Sequence, residues 1–159
     1  MSLLPNVILQ NGNTSQAEIY IFQKAKHCSL LKSDYKILFH SVDLPQSKYK
    51  LKGEVDFIYL DNEYLFFLEV KGGSVKYDST TNDWFVMGGS LKKDPFKQAY
   101  DSLFEVRDRA LPKNFPHKDY SNRLKLGIGV MFPDCGIPEN FNSYNKSYKG
   151  NSIEYDFDI

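Results

Sequence analysis

The sequence predicts one α/β domain whose elements run helix, three strands, helix, strand, with a small hairpin inserted before the second helix. Three observations predict it. A capped apolar stripe at helical spacing follows Ser15, and two strand-like runs flank the short linker Asp61-Asn62-Glu63. Asp94-Pro95 then opens a second helical stripe, which gives way to the apolar run 124–132. At 159 residues the chain is long enough to bury a real core. Hydrophobic residues at 42% and charged residues at 25% are a globular balance, and 15% aromatics suit a core built on strands.

Residues 1–13 read as an N-terminal segment ahead of a single domain over 14–159. Ser15 to Glu18 fits the capping-box pattern, and Ile19, Phe22, Ala25 and Cys28 continue an apolar stripe to about Leu31. "DYKILFHSVDL" reads as a strand with Ile37, Phe39 and Ser41 on one face. Lys48, Lys50 and Lys52 alternate in the stretch that follows and share a face if it is extended. Glu54–Leu60 and Tyr64–Lys71 form the next two strands, ended by Gly72-Gly73. "SVKYDSTTNDWFVMGG" reads as a smaller hairpin with an Asn-Asp turn.

Asp94 is a good N-cap and Pro95 a good first helical residue. Phe96, Ala99, Leu103, Val106 and Ala110 form the buried stripe of that helix, and Pro112 stops it. "LKLGIGVMF" is a core strand. Beyond Pro133 the chain is rich in Asn, Ser and Tyr, as loops are, and "SIEYDFDI" ends it with strand-like alternation. A strand-like end without a closing element suits the N-terminal module of a longer protein.

Lys plus Arg and Asp plus Glu balance at 20 each, so the chain does not coat nucleic acid by bulk charge, and a nucleic-acid partner needs a local basic patch. Cys28 and Cys135 show no CxxC or Cys/His pattern, which points to reduced thiols in the cytoplasm. No apolar run reaches membrane-spanning length.

The informative stretch is "GEVDFIYLDNEYLFFLEVKGG", because it places Asp56, Glu69 and Lys71 inside runs that otherwise read as buried strand. Side chains alternate with period 2, so Glu54, Asp56, Ile58 and Leu60 share one face, as do Leu65, Phe67, Glu69 and Lys71. With Asp61-Asn62 as the hairpin loop, Asp56 lies diagonal to Glu69. With Asn62-Glu63 as the loop, Asp56 faces Glu69 directly. Either register puts the two carboxylates roughly 5–8 Å apart at Cβ. Like charges that close repel, and a half-buried site magnifies the repulsion. A divalent cation between them removes it, and hard oxygen ligands suit Mg²⁺ or Mn²⁺. Lys71 beside such a site can orient an attacking water and stabilise phosphate charge.

Asp, a hairpin, then Glu69-Val70-Lys71 resembles the core motif of the PD-(D/E)xK phosphodiesterase superfamily. "SQAEIY", "GEVDFIYL", "FFLEVKGG", a Trp a little later and "DPFKQAYDSL" are similar to the landmarks of its nuclease-related domain (NERD) family, over roughly residues 14–132. One departure is Val55, where the superfamily name implies Pro before the Asp. The resemblance implies a restriction-endonuclease-like core: a central mixed β-sheet with a three-stranded antiparallel meander flanked by helices. It implies Asp56, Glu69 and the Val70 carbonyl as metal ligands, Lys71 as the water-activating group, and Gln98 and Glu18 as supporting catalytic residues. It also implies DNA as partner, with a C-terminal helicase, ATPase or kinase module.

The plainer readings stand beside these. Glu18 is also the third residue of a capping box. Gln98 can be a solvent-facing helix residue. Glu54 either joins the acidic cluster or pairs with a lysine of the 48–52 run. Lys76, Lys92, Lys93 and Lys97 either line a phosphate-binding groove or form an ordinary solvated face. Tyr100 reads as packing at a helix edge. Trp84 reads as core or hairpin packing, with base stacking as its functional counterpart. His27, His40 and His117 have no ligand spacing and read as structural. The functional expectation is a Mg²⁺-dependent nuclease acting on DNA in processing or repair. The alternatives are a nucleic-acid-binding module with little or no turnover and a protein-interaction domain.

Overall fold

The computed structural model describes residues 2–4, 15–28, 36–44, 53–86, 89–91, 93–110 and 125–136. Helix α1 (Gln16–His27) starts where the sequence places it, because both capping-box bonds form. Glu18 N–H donates to Ser15 Oγ at 3.2 Å, and Ser15 N–H donates to Glu18 Oε1 at 2.9 Å. The helix ends at His27, earlier than the apolar stripe suggests, because Cys28 leaves helical geometry with ψ 116°. Lys24, Lys26 and His27 in its last turn complement the helix dipole.

Strands β1 (Ser2–Leu4), β2 (Ile37–Leu44), β3 (Gly53–Leu60), β4 (Tyr64–Val70) and β8 (Lys125–Met131) form one mixed sheet in the order β1-β2-β3-β4-β8. The meander β2-β3-β4 is antiparallel, while β1 joins β2 and β8 joins β4 in parallel. This is the expected restriction-endonuclease-like arrangement. Ser2–Leu4 adds an edge strand within the segment read as N-terminal to the domain. Gly127 in β8 lets the Phe66 ring of β4 lie where its Cβ would stand, 2.2 Å from the nearest ring carbon.

The strands β5 (Val75–Asp78), β6 (Asp83–Val86) and β7 (Gly89–Ser90) form a second, small antiparallel sheet. Its tight turn covers Ser79–Asn82 and not the expected Asn82-Asp83. Asp83 already pairs with Asp78, and Asn82 takes the left-handed conformation (φ 59°) that closes the turn. Helix α2 (Pro95–Glu105) begins as predicted, with Asp94 Oδ1 accepting from Phe96 N–H at 2.9 Å and from Lys97 N–H at 3.3 Å. It widens into a π-helical turn over Val106–Ala110.

The sheet is covered on both sides. Ala17, Phe22 and Ala25 of α1 pack on Leu38, Phe57 and Val70. Ala99 and Leu103 of α2 pack on Ile58, Leu65, Phe67 and Ile128. Ile37 and Phe39 are therefore only half-buried, and Leu38 and His40 carry the deeper face of β2. His40 is a core residue, edge-on to Phe22 with ring centroids 4.8 Å apart. Trp84 is also core, 2% exposed and stacked on Phe132 at 5.8 Å, so base stacking is not its role. Tyr100 packs against Phe104 at the helix edge as read. His117, Pro112, Lys48, Lys50, Lys52 and the 152–159 strand lie outside the described residues.

The β3–β4 turn fixes the register that the site depends on. Leu60 pairs with Leu65, which selects the Asn62-Glu63 loop. Asp61 Oδ1 accepts from Glu63 N–H at 2.8 Å and Tyr64 N–H at 2.7 Å, and Oδ2 accepts the Tyr59 hydroxyl at 2.7 Å. Partial burial opposes the Asp61 charge, yet these donors hold its carboxyl below its ordinary value. Burial and the bond to Asp61 push the Tyr59 phenol up to about 12. Asp61→Ala is expected to lower unfolding free energy by about 1–2 kcal/mol in urea titrations. Asp61→Asn, which keeps the Oδ1 acceptor, is expected to lose less.

Candidate active site

Continued one step past the Phe57↔Leu68 pair, the register sets Asp56 against Glu69. The two backbones part there. Val70 N–H, which faces β3, donates to a side chain: Asp56 Oδ2 at 2.7 Å. Lys71 N–H, which faces β8, donates to Met131 O at 2.9 Å, so β4 stays anchored on its other side. The result is a fork between β3 and β4, with the Asp56 carboxyl seated in the opening.

Glu69 is 2% exposed on the α2 side of β4 and pairs with the Lys71 ammonium. Lys71 also reaches Gln98 Oε1 at 3.4 Å, which brings the second turn of α2 to the site. Gln98 is held by its helix, whose buried Ser102 hydroxyl donates to the Gln98 carbonyl at 3.0 Å. A buried carboxylate without a cation would be expensive, and the Lys71 ammonium meets that need in part.

Asp56 receives less help. Burial first, then the Glu69 charge, push its carboxyl up to about 7, with Glu18 adding to the rise. The Val70 N–H and the Lys71 charge oppose the shift without cancelling it. Glu18 does two things here. It closes the capping box and stands 9% exposed at the head of α1, close enough to act on Asp56. Gly72 permits the approach, because a Cβ there would lie 2.8 Å from that of Ala17. Asp134, which no sequence pattern singled out, secures the turn after Lys71 by accepting Gly73 N–H at 2.6 Å.

The structure therefore brings together Asp56, Glu69, Lys71, Gln98 and Glu18. The basic residues are more dispersed. Lys76 and Lys93 are exposed, and Lys97 is exposed and paired with Asp101 at 2.9 Å. Lys92 lies outside the described residues. Lys76 stands across from Phe85, which at 37% exposed is the small sheet's one large apolar side chain open to solvent among the described residues. Glu54 pairs across the strands with Asp43, and the lysines it was read against are not described. Among the described residues no group of three or more His, Cys, Asp or Glu gathers in metal-binding geometry. The oxygen donors at the fork are two carboxylates and the Val70 carbonyl. Cys28 and Cys135 are free thiols.

The raised Asp56 carboxyl has a signed consequence. The folded protein keeps this proton up to about pH 7, while an unfolded Asp releases it near 3.8. Between those values the native state binds more protons, so its stability falls as pH rises. Metal-free wild type is expected to be less stable at pH 7.5 than at pH 5 in urea melts. Asp56→Asn is expected to lose that part of the slope, and equal slopes in the two proteins would contradict the assignment.

No curated protein and no solved structure matches the chain. Residues 4–123 match the family model described as the nuclease-related domain. That span holds Glu18, Asp56, Glu69, Lys71 and Gln98, stops just short of β8, and covers more than half of the sequence; the chain belongs to the nuclease-related domain family.

Proposed function

We propose that this protein is a divalent-metal-dependent nuclease that hydrolyses DNA phosphodiester bonds in DNA processing or repair. One observation carries the reading. Two carboxyl groups and an ammonium are gathered at the fork between β3 and β4, and burial together with the Glu69 charge drives the Asp56 carboxyl up to about 7. The donor set fits Mg²⁺ or Mn²⁺, because all its atoms are hard oxygens and most of an octahedral shell is left to water and substrate phosphate. Asp56, Glu69 and the Val70 carbonyl would hold the ion. When bound, such an ion supplies Lewis-acid stabilisation of charge developing on the phosphate.

The chain's own residues do the rest. The Val70 N–H orients Asp56. Gln98 and Glu69 fix the Lys71 ammonium at a place from which it can hydrogen-bond a water or a phosphate oxygen. Glu18 deepens the negative potential that attracts the cation. Lys76 and Lys93 supply phosphate contacts on the surface, with Lys97 and Lys92 as further candidates. DNA is the partner on this reading, delivered by a helicase, ATPase or kinase module fused C-terminally. Two free thiols favour the cytoplasm, and among the described residues no helix is long and apolar enough to cross a membrane.

A second reading has one observation in its favour. The Lys71–Glu69 pair balances part of the site's charge by itself, as suits a module that binds nucleic acid without cutting it. DNA binding that survives Glu69→Ala, with no cleavage in any metal, would select it.

Mn²⁺ is expected to raise the melting temperature of wild type and to leave Glu69→Ala unmoved. Lys71→Ala is expected to lower the cleavage rate by about 100-fold or more while the fold persists. A folded Asp56→Ala or Lys71→Ala protein that cuts DNA at the wild-type rate would overturn the reading. Lys76→Ala and Lys93→Ala are each expected to reduce the slope of log affinity against log salt by about one, whatever the DNA sequence.

A further inference from the structure

The β2–β3 ladder has one missing rung. His40 pairs with Phe57 and Val42 with Val55, but Ser41 and Asp56, which the same register sets opposite each other, do not pair. Ser41 has φ 50°, a left-handed conformation that a serine seldom adopts and that is out of place in a strand.

The side chains on either side of the gap change phase. On β3, Phe57 packs into the α1 layer and Ile58 into the α2 layer, so alternation would send Val55 to the α1 layer. Val55 instead packs with Leu44, Ala99 and Leu103 on the α2 side. On β2, His40 lies against Phe22 and Phe57 of the α1 layer, while Val42 and Leu44 belong to the α2 side. Each strand thus carries one residue that does not count in the alternation: Ser41 on β2 and Asp56 on β3. A residue taken out of the alternation is aimed at neither face, and the Asp56 carboxyl accordingly lies along the sheet, on the Val70 N–H.

We propose that Ser41 is a positioning residue: its left-handed backbone conformation sets the kink that turns the Asp56 carboxyl out of the face of β3 and onto the edge of β4. The proposal rests on the metal-nuclease reading for the consequence of that placement, but the placement itself is independent of it. The backbone conformation does the positioning, and the hydroxyl, which lies 3.4 Å from His40 Nδ1, does not.

Amide hydrogen exchange in the metal-free protein, followed by a Mn²⁺ titration, tests it. Ser41→Gly accepts φ 50° without steric strain. It is expected to keep the Val70 amide as protected as in wild type, to keep Mn²⁺ affinity within about twofold, and to melt no lower. Ser41→Val resists that conformation. It is expected to lose protection at Val70 by tenfold or more and to weaken Mn²⁺ binding by a similar factor, while the Phe67 and Ile128 amides in the core stay protected. Should valine unfold the protein, Ser41→Thr, β-branched but closer to serine in size and polarity, makes the same comparison in milder form. Wild-type protection at Val70 in the valine and threonine variants would overturn the proposal. So would a glycine variant that loses it. Wild type that shows no response to Mn²⁺ would instead refute the metal reading, with the Val70 amide still deciding the role of Ser41.

Discussion

A hydrogen bond from the Val70 N–H to the Asp56 carboxyl takes the place of a backbone rung, and the candidate site is arranged around that substitution. An antiparallel ladder normally consumes its N–H groups in carbonyl bonds, leaving side chains to point up or down. Here β3 leaves the ladder beyond Phe57, and a side chain must satisfy the orphaned N–H of β4. The Asp56 carboxyl oxygen does so, and the bond favours the charged form of the group without overcoming its burial. The same act fixes the carboxyl against Glu69 and beside Lys71, in a place too buried for its own charge.

Two aspartates of one hairpin show how position sets chemistry. Asp61 meets three donors at an open turn, and its carboxyl stays below the ordinary value. Asp56 meets one donor, a neighbouring carboxylate and a dry environment, and its carboxyl rises to about 7. The hairpin register ties the two together. The turn that Asp61 organises is the one that sets Leu60 on Leu65 and therefore Asp56 against Glu69. Glu18 reaches the same cluster by a different route. The capping box that starts α1 also points a carboxylate at the end of the sheet, and Gly72 lets the helix come close. A residue can thus be a structural cap and an electrostatic member of the site without conflict.

Much of this was legible in the residues. Ser15 and Glu18, Asp94 and Pro95, and the alternation of Tyr64–Lys71 each announce a local bond or period, and each behaves as announced. Elsewhere the structure departs from the reading. The first helix stops at His27 although the stripe runs on, and Asn82 closes the small hairpin one residue earlier than the Asn-Asp pair suggests. Trp84 could be read as core or as a stacking platform from its neighbours alone, and packing on Phe132 and Phe96 decided for core. Nothing in the stretch around Ser41 marks it as a left-handed residue, and nothing near Asp134 marks it as the anchor of the turn after Lys71.

The sequence by itself determined the order of the elements, where the two helices begin, and that an even-numbered hairpin loop would bring Asp56, Glu69 and Lys71 to one face of a sheet. These follow from short-range chemistry: caps, the period of two in a strand, and the length of a turn. The Asp61 turn then selected the register, and only the tertiary structure decided that Asp56 points along the sheet instead of from its face, that Lys71 divides itself between Glu69 and Gln98, and that burial lifts the Asp56 carboxyl to about 7. Those last three outcomes depend on desolvation and on contacts between residues far apart in the chain. They exist only once α1, α2 and the sheet have closed around the fork.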